Sequence, residues 1–196
     1  MRIGLLGGTF SPPHHGHLIC AQEARIQLDL DEVWLVPAGD PPHREIEDDP
    51  GPEQRLNMCR LAVIGQPGLS ISTVEIHRDG PSFTVDTLRG LVAEHPQTEF
   101  TLVIGADQAL SFGNWREPEE IGRMANIAVA ARTDADRGEA LAEITRVTDK
   151  EPLSIDMPRI DISSSMIREN IRDRETITHF VPAGIAELIE QSGLYR

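Results

Sequence analysis

The chain has 196 residues, 39% of them hydrophobic, which suits one domain of ordinary size. Its formal net charge of −14 argues against nucleic-acid binding, because phosphate backbones require a basic surface. No apolar run is long enough to predict a membrane span, and residues 1–10 lack the apolar core of a signal peptide. Cys20 and Cys59 have no CxxC spacing, so no disulfide framework or zinc knuckle is indicated, and we expect a reduced, cytoplasmic protein.

Short apolar runs alternate along the chain with stretches of helical spacing. This alternation is typical of a parallel sheet covered by helices on both faces, and runs such as LVIGA and IAVAA are as continuously apolar as buried parallel strands should be. We therefore predict a doubly wound α/β domain with a mostly parallel sheet over residues 1–196. Strands are predicted in RIGLLGG (2–8), EVWLVPAG (32–39), LSISTVEI (69–76), FTLVIGAD (100–107), NIAVAAR (126–132) and LSIDMPRIDIS (153–163).

Helices are predicted between these strands, and two of the connections between strands also contain a polar stretch. We expect residues 41–55 and residues 132–150 to be surface excursions, the second partly helical, because both are rich in charge. Pro182 and Gly193 have the spacing of a helix start and a helix stop near the end of the chain. The predicted helices are HLICAQEARIQLDL (17–30), EQRLNMCRLAVIG (53–65), FTVDTLRGLVAEH (83–95), SSMIRENIRD (164–173) and VPAGIAELIEQSGLY (181–195).

The stretch GGTFSPPHHGH (7–17) directly follows the first predicted strand. A helix is expected to begin near Gly16, and its free N–H groups and dipole suit an anion. His14 and His17 share one side of that helix start, where their pKa should be lowered until a polyphosphate raises it again. The stretch has neither a Gly-Lys-Ser/Thr P-loop nor a GxGxxG fingerprint. A metal site stays open as an alternative, although no nearby Asp, Glu or Cys completes a ligand set.

A second candidate phosphate site lies in DISSSMIRENI (161–171). Serines at the end of a strand can cap the following helix, and they can also donate to a phosphate. Arg168 follows Ser164 and Ser165 by about one helical turn, so the three side chains should share one side. A simple helix cap without a role in phosphate binding is the alternative interpretation, and it stays open.

Together these motifs carry a resemblance to a known family. In order along the chain, GGTFSPPHHGH, VPAGDPPHRE, GPSFTVDTL, IGADQALSFGNW, ISSSMIR and VPAGIAELIEQSGLY resemble bacterial nicotinate-mononucleotide adenylyltransferases of the HxGH nucleotidyltransferase superfamily. The resemblance covers nearly the whole chain. It implies a Rossmann-like fold and adenylyl transfer from ATP to nicotinate mononucleotide, giving deamido-NAD and pyrophosphate.

The resemblance also assigns the phosphate-binding residues. It implies that the helical part 160–196 closes the phosphate site. We expect Mg²⁺ to arrive with ATP, because no carboxylate cluster is evident in the sequence to hold it. The implied catalytic residues are His14, His17 and Arg168. The implied ATP-binding residues are Gly8, Thr9, Phe10, Gly16, Gly105, Asp107, Ser163 and Ser164.

The mononucleotide side rests on the resemblance together with helix electrostatics. Ser82 or Thr84 can cap the helix of residues 83–95, and N–H groups near Phe83 and Thr84 would then receive the carboxylate of nicotinate. Trp115 would stack on the pyridine ring, although a tryptophan is more often a packing residue. Arg44 and Arg132 complete the implied site, and either is also consistent with an ordinary surface charge.

The sequence departs from the family pattern at Ser11, where the family usually has aspartate, and at Arg44, where it usually has lysine. Three rivals remain: a sister enzyme such as the phosphopantetheine adenylyltransferase, a nucleotide-binding regulatory module that has lost turnover, and a histidine-cluster metallohydrolase. The oligomeric state is open, a homodimer included.

Overall fold

The computed structural model describes residues 1–42, 48–131 and 133–196. Six strands in these residues form one sheet in the order β3-β2-β1-β4-β5-β6, and every strand pair is parallel. The predicted doubly wound α/β fold is confirmed. The strands are β1 (Arg2–Gly8), β2 (Glu32–Pro37), β3 (Leu69–Ile71), β4 (Glu99–Gly105), β5 (Asn126–Ala131) and β6 (Leu153–Asp156).

Helices connect these strands and cover both faces of the sheet. A short 3₁₀ turn spans Phe112–Asn114. None of the helices in the part of the chain that the structure describes is long and apolar enough to cross a membrane. The helices are α1 (His15–Gln27), α2 (Pro52–Val63), α3 (Thr84–Glu94), α4 (Ala106–Leu110), α5 (Pro118–Met124), α6 (Asp134–Thr148), α7 (Ser164–Arg172) and α8 (Ala183–Ser192).

Two apolar clusters hold the helices against the sheet. Successive side chains of a strand point to opposite faces, so β4 contributes Val103 to one cluster and Leu102 and Ile104 to the other. The first cluster lies under α1, α2, α7 and α8, and the second under α3, α4, α5 and α6. Because both faces of the sheet are covered, the central strands read as nearly continuous apolar runs.

The strand order places a crevice at one edge of the sheet. The chain winds from β1 outward through β2 and β3, then returns to β4 on the other side of β1. The carboxyl ends of all six parallel strands meet at the same edge, and the connections diverge between β1 and β4. In such sheets ligands bind at this topological switch point.

Three sequence predictions need correction. The strands β3 and β6 are shorter than predicted, and β3 gives way to a turn in which the Ile76 and His77 N–H groups donate to the Thr73 carbonyl. Residues 132–150 are more than a surface excursion, because α6 buries Ala140 and Ile144. The spacing of these two residues gives α6 an apolar stripe that its many charges obscure in the sequence.

Gly39 offers a direct test of the packing beside β2. A Cβ atom there would overlap the backbone carbonyl of Glu75, which cannot move aside as a side chain can. We expect Gly39→Ala to lower the free energy of unfolding by about 1–3 kcal/mol, as overpacked positions do. The matched control is Gly138→Ala within α6, where a Cβ meets open space. It should gain about 0.5–1 kcal/mol from helix propensity, and equal urea midpoints for the two variants would contradict this account.

Candidate active site

Each described residue of the predicted site lies at or after the carboxyl end of a strand. The β1 end leads to the histidine motif, β3 leads to Phe83 and Thr84, and β6 leads to the serine–arginine motif. Gly105 is the last residue of β4, with Asp107 and Trp115 beyond it. These residues are therefore gathered at one edge of the sheet. Arg44 and Arg132 lie outside the described residues.

The two histidines form a stacked pair at the start of α1. His14 is the N-cap residue, and α1 begins at His15. The imidazole rings of His14 and His17 stack with centroids 3.7 Å apart. The backbone N–H of His14 donates to Nδ1 of His17 at 3.2 Å. Since Nδ1 accepts a hydrogen bond, the proton of a neutral His17 is on Nε2, which can donate to a ligand.

Burial lowers the pKa of His17 well below the ordinary value of 6.5, and the neighbouring His14 lowers it further. His17 is therefore neutral at pH 7. A neutral imidazole still donates one hydrogen bond to a phosphate oxygen, and the phosphate charge would favour protonation.

The glycines of the histidine motif make room for its rings. A Cβ on Gly8 would lie 3.2 Å from the Phe10 ring, and a Cβ on Gly16 would lie 3.0 Å from Nδ1 of His14. Phe10 has a φ of 51° and is buried, with its ring edge-on to His17 at 5.0 Å. Side chains at the two glycines would therefore displace these rings.

The serine–arginine motif is built around the start of α7. Ser163 is the N-cap, and its hydroxyl accepts the N–H of Met166 at 3.1 Å, so this cap is confirmed. Arg168 donates through Nη2 to the Ser165 hydroxyl at 3.3 Å, which confirms that they share one side. The Nε of Arg168 is buried and has no hydrogen-bond partner among the described residues.

The structure joins the two phosphate motifs through backbone carbonyls. The Ser164 hydroxyl donates to the carbonyl of Pro12 at 2.8 Å. Nη1 of Arg168 donates to the carbonyl of Ser11, also at 2.8 Å. In addition, the N–H of His15 donates to the carbonyl of Phe180 at 3.0 Å. Residues more than 150 positions apart in sequence thus form one edge of the crevice.

The Ser11 side chain lies in the interior of the protein. Its side chain is buried, and its hydroxyl lies 3.0 Å from the hydroxyl of Tyr195 near the end of the chain. Burial raises the pKa of Tyr195 to about 12, so its hydroxyl stays protonated and can donate. The position where the family usually has a carboxylate is occupied here by a neutral pair.

The start of α3 differs from the sequence prediction. Phe83, which has no polar side chain, is the N-cap, so the predicted cap by Ser82 or Thr84 is wrong. The Ser82 hydroxyl instead accepts the N–H groups of Gly39 and Asp40 at 2.9 and 3.2 Å. Because no side-chain oxygen caps α3, its first N–H groups suit an anionic ligand.

Arg116 is a site residue that sequence analysis missed. Its guanidinium lies 4.8 Å from the centroid of the Phe83 ring, and it pairs with Asp86 at 3.3 Å. Its neighbour Trp115 is half-buried and packs against Phe112 with ring centroids 5.2 Å apart. The start of α3 thus has an aromatic ring and a cation beside it. Only the position directly after Trp115 could have drawn attention to Arg116.

Beyond β4, Asp107 is exposed and Gly105 keeps it close to the strand end. A Cβ on Gly105 would lie 2.7 Å from Oδ1 of Asp107, so a larger residue would displace this carboxylate. An exposed carboxylate at the switch point can accept hydrogen bonds from ligand hydroxyls.

Arg55 is a second residue that sequence analysis missed. It lies in the predicted surface excursion 41–55, yet its side chain is fully buried. The correction follows from helix geometry, because Arg55 shares the buried face of α2 with Cys59 and Ala62 at helical spacing. Its guanidinium is satisfied by Asp49 and by carbonyl groups at the strand ends. The helical spacing of Arg55, Cys59 and Ala62 was the feature of the sequence that could have identified Arg55 as buried.

The sequence comparisons cover nearly the whole chain. The Cytidylyltransferase-like family matches residues 5–170. A probable nicotinate-nucleotide adenylyltransferase of Geobacillus thermodenitrificans is 39% identical over 99% of this chain and 86% of its own length. One of a Synechococcus strain is 40% identical over 99% of this chain and 94% of its own length. The chain belongs to the nicotinate-nucleotide adenylyltransferases of this family.

A solved structure supports the fold of this adenylyltransferase family member. Plasmodium falciparum nicotinic acid mononucleotide adenylyltransferase complexed with NaAD superposes with a TM-score of 0.79 at 19% identity. The match covers 99% of this chain and 97% of that chain. The resemblance inferred from six sequence motifs is therefore confirmed at the level of family and fold.

The lowered pKa of His17 predicts a pH dependence. Above about pH 6.5 the histidine is neutral in both folded and unfolded chains. As the pH falls below that value the unfolded chain takes up the proton first, so the free energy of unfolding decreases until the folded pKa is passed. In NMR titrations the His17 ring should still be neutral at pH 6, and His17→Gln should flatten the stability profile. A protonated His17 at pH 7 without ligand would contradict this.

The Ser11–Tyr195 pair predicts coupled losses of stability. Ser11→Ala and Tyr195→Phe each leave one buried hydroxyl without its partner, at about 1–3 kcal/mol in the free energy of unfolding. The double variant should lose less than the sum, with a coupling of about 1 kcal/mol in urea denaturation. Strict additivity would show that the hydroxyls do not interact.

Proposed function

We propose that this chain transfers the adenylyl group of ATP to nicotinate mononucleotide. An oxygen of the mononucleotide 5′-phosphate forms a bond to the α-phosphorus of ATP, and the bond from that phosphorus to the bridging β-phosphate oxygen breaks. Pyrophosphate leaves with the bond electrons, and deamido-NAD is formed. The observation that carries the proposal is the junction of the stacked histidines at the start of α1 with Arg168 and the start of α7.

This arrangement suits transfer at phosphorus. The attacking phosphate oxygen is already anionic, so the site needs no general base and acts by positioning and charge stabilisation. His14 and His17 would hold the triphosphate at the helix start, with Gly16 leaving space beside them. Arg168, held beside the β1 turn by its bond to the Ser11 carbonyl, would hold the triphosphate from the other side.

Further residues complete the proposed ATP side. Gly8 is the last residue of β1, Thr9 and Phe10 follow it in the turn, and Ser163 and Ser164 belong to the start of α7. The 160–196 part would then close the phosphate site, supported by the bonds from Ser164 and Arg168 to the β1 turn. Gly105 and the Asp107 carboxylate would meet the ribose hydroxyls at the switch point. 

The mononucleotide would lie at the start of α3. The first N–H groups of α3, beside Phe83 and Thr84, suit the nicotinate carboxylate better than the neutral amide of nicotinamide. The Arg116 guanidinium lies over the Phe83 ring beside these groups, paired with Asp86 and Glu117. Trp115 would stack on the pyridine ring, and Arg44 and Arg132 belong to the same proposal on sequence grounds.

Magnesium fits this site as a companion of ATP. Among the described residues no group of three or more His, Cys, Asp or Glu side chains could hold a metal ion. The side chains proposed around the triphosphate are donors, which bind phosphate oxygens and leave a hard cation to ATP itself. Bound there, Mg²⁺ would neutralise charge on the departing pyrophosphate. Both cysteines are thiols, which supports a cytoplasmic setting for the reaction.

The decisive experiment measures pyrophosphate release from ATP and Mg²⁺ with three acceptors in separate reactions. We expect rapid release with nicotinate mononucleotide and little with nicotinamide mononucleotide or phosphopantetheine. Release with phosphopantetheine alone would move the chain to a sister activity, and comparable release with the amide would remove the account of specificity. If none of the three acceptors supports release, Ser11→Asp tests the alternative of a regulatory module that has lost turnover. That alternative predicts that the substitution raises activity.

A histidine variant tests the role of the stacked pair in that assay. His17→Ala should lower kcat by about 10²–10³-fold, the usual cost of one transition-state donor. The matched control, His95→Ala, removes an exposed imidazole at the C-terminal end of α3, opposite the helix start proposed for the site, and should leave kcat unchanged. Equal rates for both variants would contradict the assignment.

A further inference from the structure

The buried guanidinium of Arg55 connects the two turns that border the crevice. Its Nη1 donates to the carbonyl of Thr9, in the turn after β1, at 3.3 Å, and also to the carbonyl of Ala38. Its Nη2 donates to the carbonyl of Gly39 at 3.0 Å. Arg55 therefore joins the turn proposed to hold ATP to the turn that follows β2.

The connection continues from the β2 turn to the start of α3. The Ser82 hydroxyl accepts the N–H groups of Gly39 and Asp40, and the Ser82 N–H donates to the Asp40 carbonyl at 2.7 Å. Ser82 directly precedes Phe83, the N-cap of α3. One unbroken set of hydrogen bonds thus runs from Thr9, through Arg55 and Gly39, to the proposed nicotinate end of the crevice.

The chemistry of this position is specific to arginine. The Nε of Arg55 donates to Asp49 at 3.0 Å, so the planar group directs N–H donors toward four acceptors on three segments. A lysine ammonium is a single point and cannot span these positions. Asp49 balances the charge that the buried group carries.

We propose that Arg55 is a positioning residue that sets the separation and orientation of the two substrates. It reaches no reacting atom itself. By holding the Thr9 carbonyl against the Ala38 and Gly39 carbonyls, it fixes the β1 turn relative to the β2 turn and α3. The attacking oxygen and the α-phosphorus must meet in line, so a small shift between these turns should lower the rate of transfer more than the binding of either substrate. This inference rests on the proposed function.

The test compares Arg55→Lys with the wild-type chain and with Arg60→Lys. Arg60 is exposed on the same helix, and among the described residues its side chain bonds to Asn57 of that helix alone. Its variant therefore controls for the loss of a guanidinium on α2. We expect Arg55→Lys to lower kcat by about 100-fold, as a shift of about 1 Å in the reacting groups does. The Kd of a non-hydrolysable ATP analogue and that of the mononucleotide, each measured alone, should change by less than about threefold.

A purely structural role would give a different result. It would lower the melting temperature yet leave kcat unchanged at temperatures where the variant is folded, and that outcome overturns the proposal. If the affinities for the ATP analogue and for the mononucleotide both fall in proportion to kcat, the proposal is also overturned. Each turn would then have lost its own binding site, not its position relative to the other turn. Absence of turnover in the wild-type chain contradicts the proposed function instead, so the two failures are distinguishable.

Two further variants keep the test decisive if Arg55→Lys does not fold. Ser82→Ala breaks the connection at its far end while Arg55 stays in place, and it should show the same fall in kcat with nearly unchanged Kd values. In Arg55→Ala, added guanidinium ion should restore part of the lost kcat, whereas methylammonium, a cation without the planar group, should not. Unchanged turnover in Ser82→Ala, or equal rescue by both cations, would overturn the proposal.

Discussion

The site depends on which donors form hydrogen bonds with the backbone carbonyl groups at the ends of the strands. Parallel strands end with carbonyls directed toward the crevice, and unpaired carbonyls there would repel phosphate. Arg55 binds the carbonyls of Thr9, Ala38 and Gly39, while Arg168 and Ser164 bind those of the turn after β1. With these acceptors occupied, helix starts and imidazole N–H groups are left to face a ligand. The cationic side chains thus bind the backbone carbonyls at this edge of the sheet.

This arrangement explains how a chain of net charge −14 forms an anion site. Some surface acids form local pairs with arginine, such as Glu143 with Arg146 on α6, and the fields of exposed charges are screened by solvent. Beside the crevice the Arg55 guanidinium is fully buried, where screening is weak, and Asp49 balances its charge. Net charge argues against a nucleic-acid surface, but it carries no information about a site built from a few local groups.

Local patterns were sufficient to predict the sheet, since six apolar runs marked six parallel strands. The family motifs also predicted the junction of the histidine and serine–arginine motifs. The sequence did not reveal the contacts that cross the chain, such as Ser11 with Tyr195 over 184 residues or Arg55 with Thr9 over 46. Periodicity predicts which face of a helix is buried and says nothing about what that face meets. Ser82 shows the same limit of local patterns. Its hydroxyl was expected to cap α3 but accepts the N–H of Gly39, which is distant in sequence.

Ser11 shows why a departure from a family pattern has to be interpreted in three dimensions. In sequence, the loss of a carboxylate beside the histidines looks like the loss of a catalytic group. In the fold, the Ser11 side chain points into the interior toward Tyr195, and only its carbonyl touches the phosphate motifs, through Arg168. A residue that acts through its backbone tolerates a change of side chain when the new side chain finds a partner. The buried hydroxyl pair provides that partner, so Ser11 is consistent with an active enzyme.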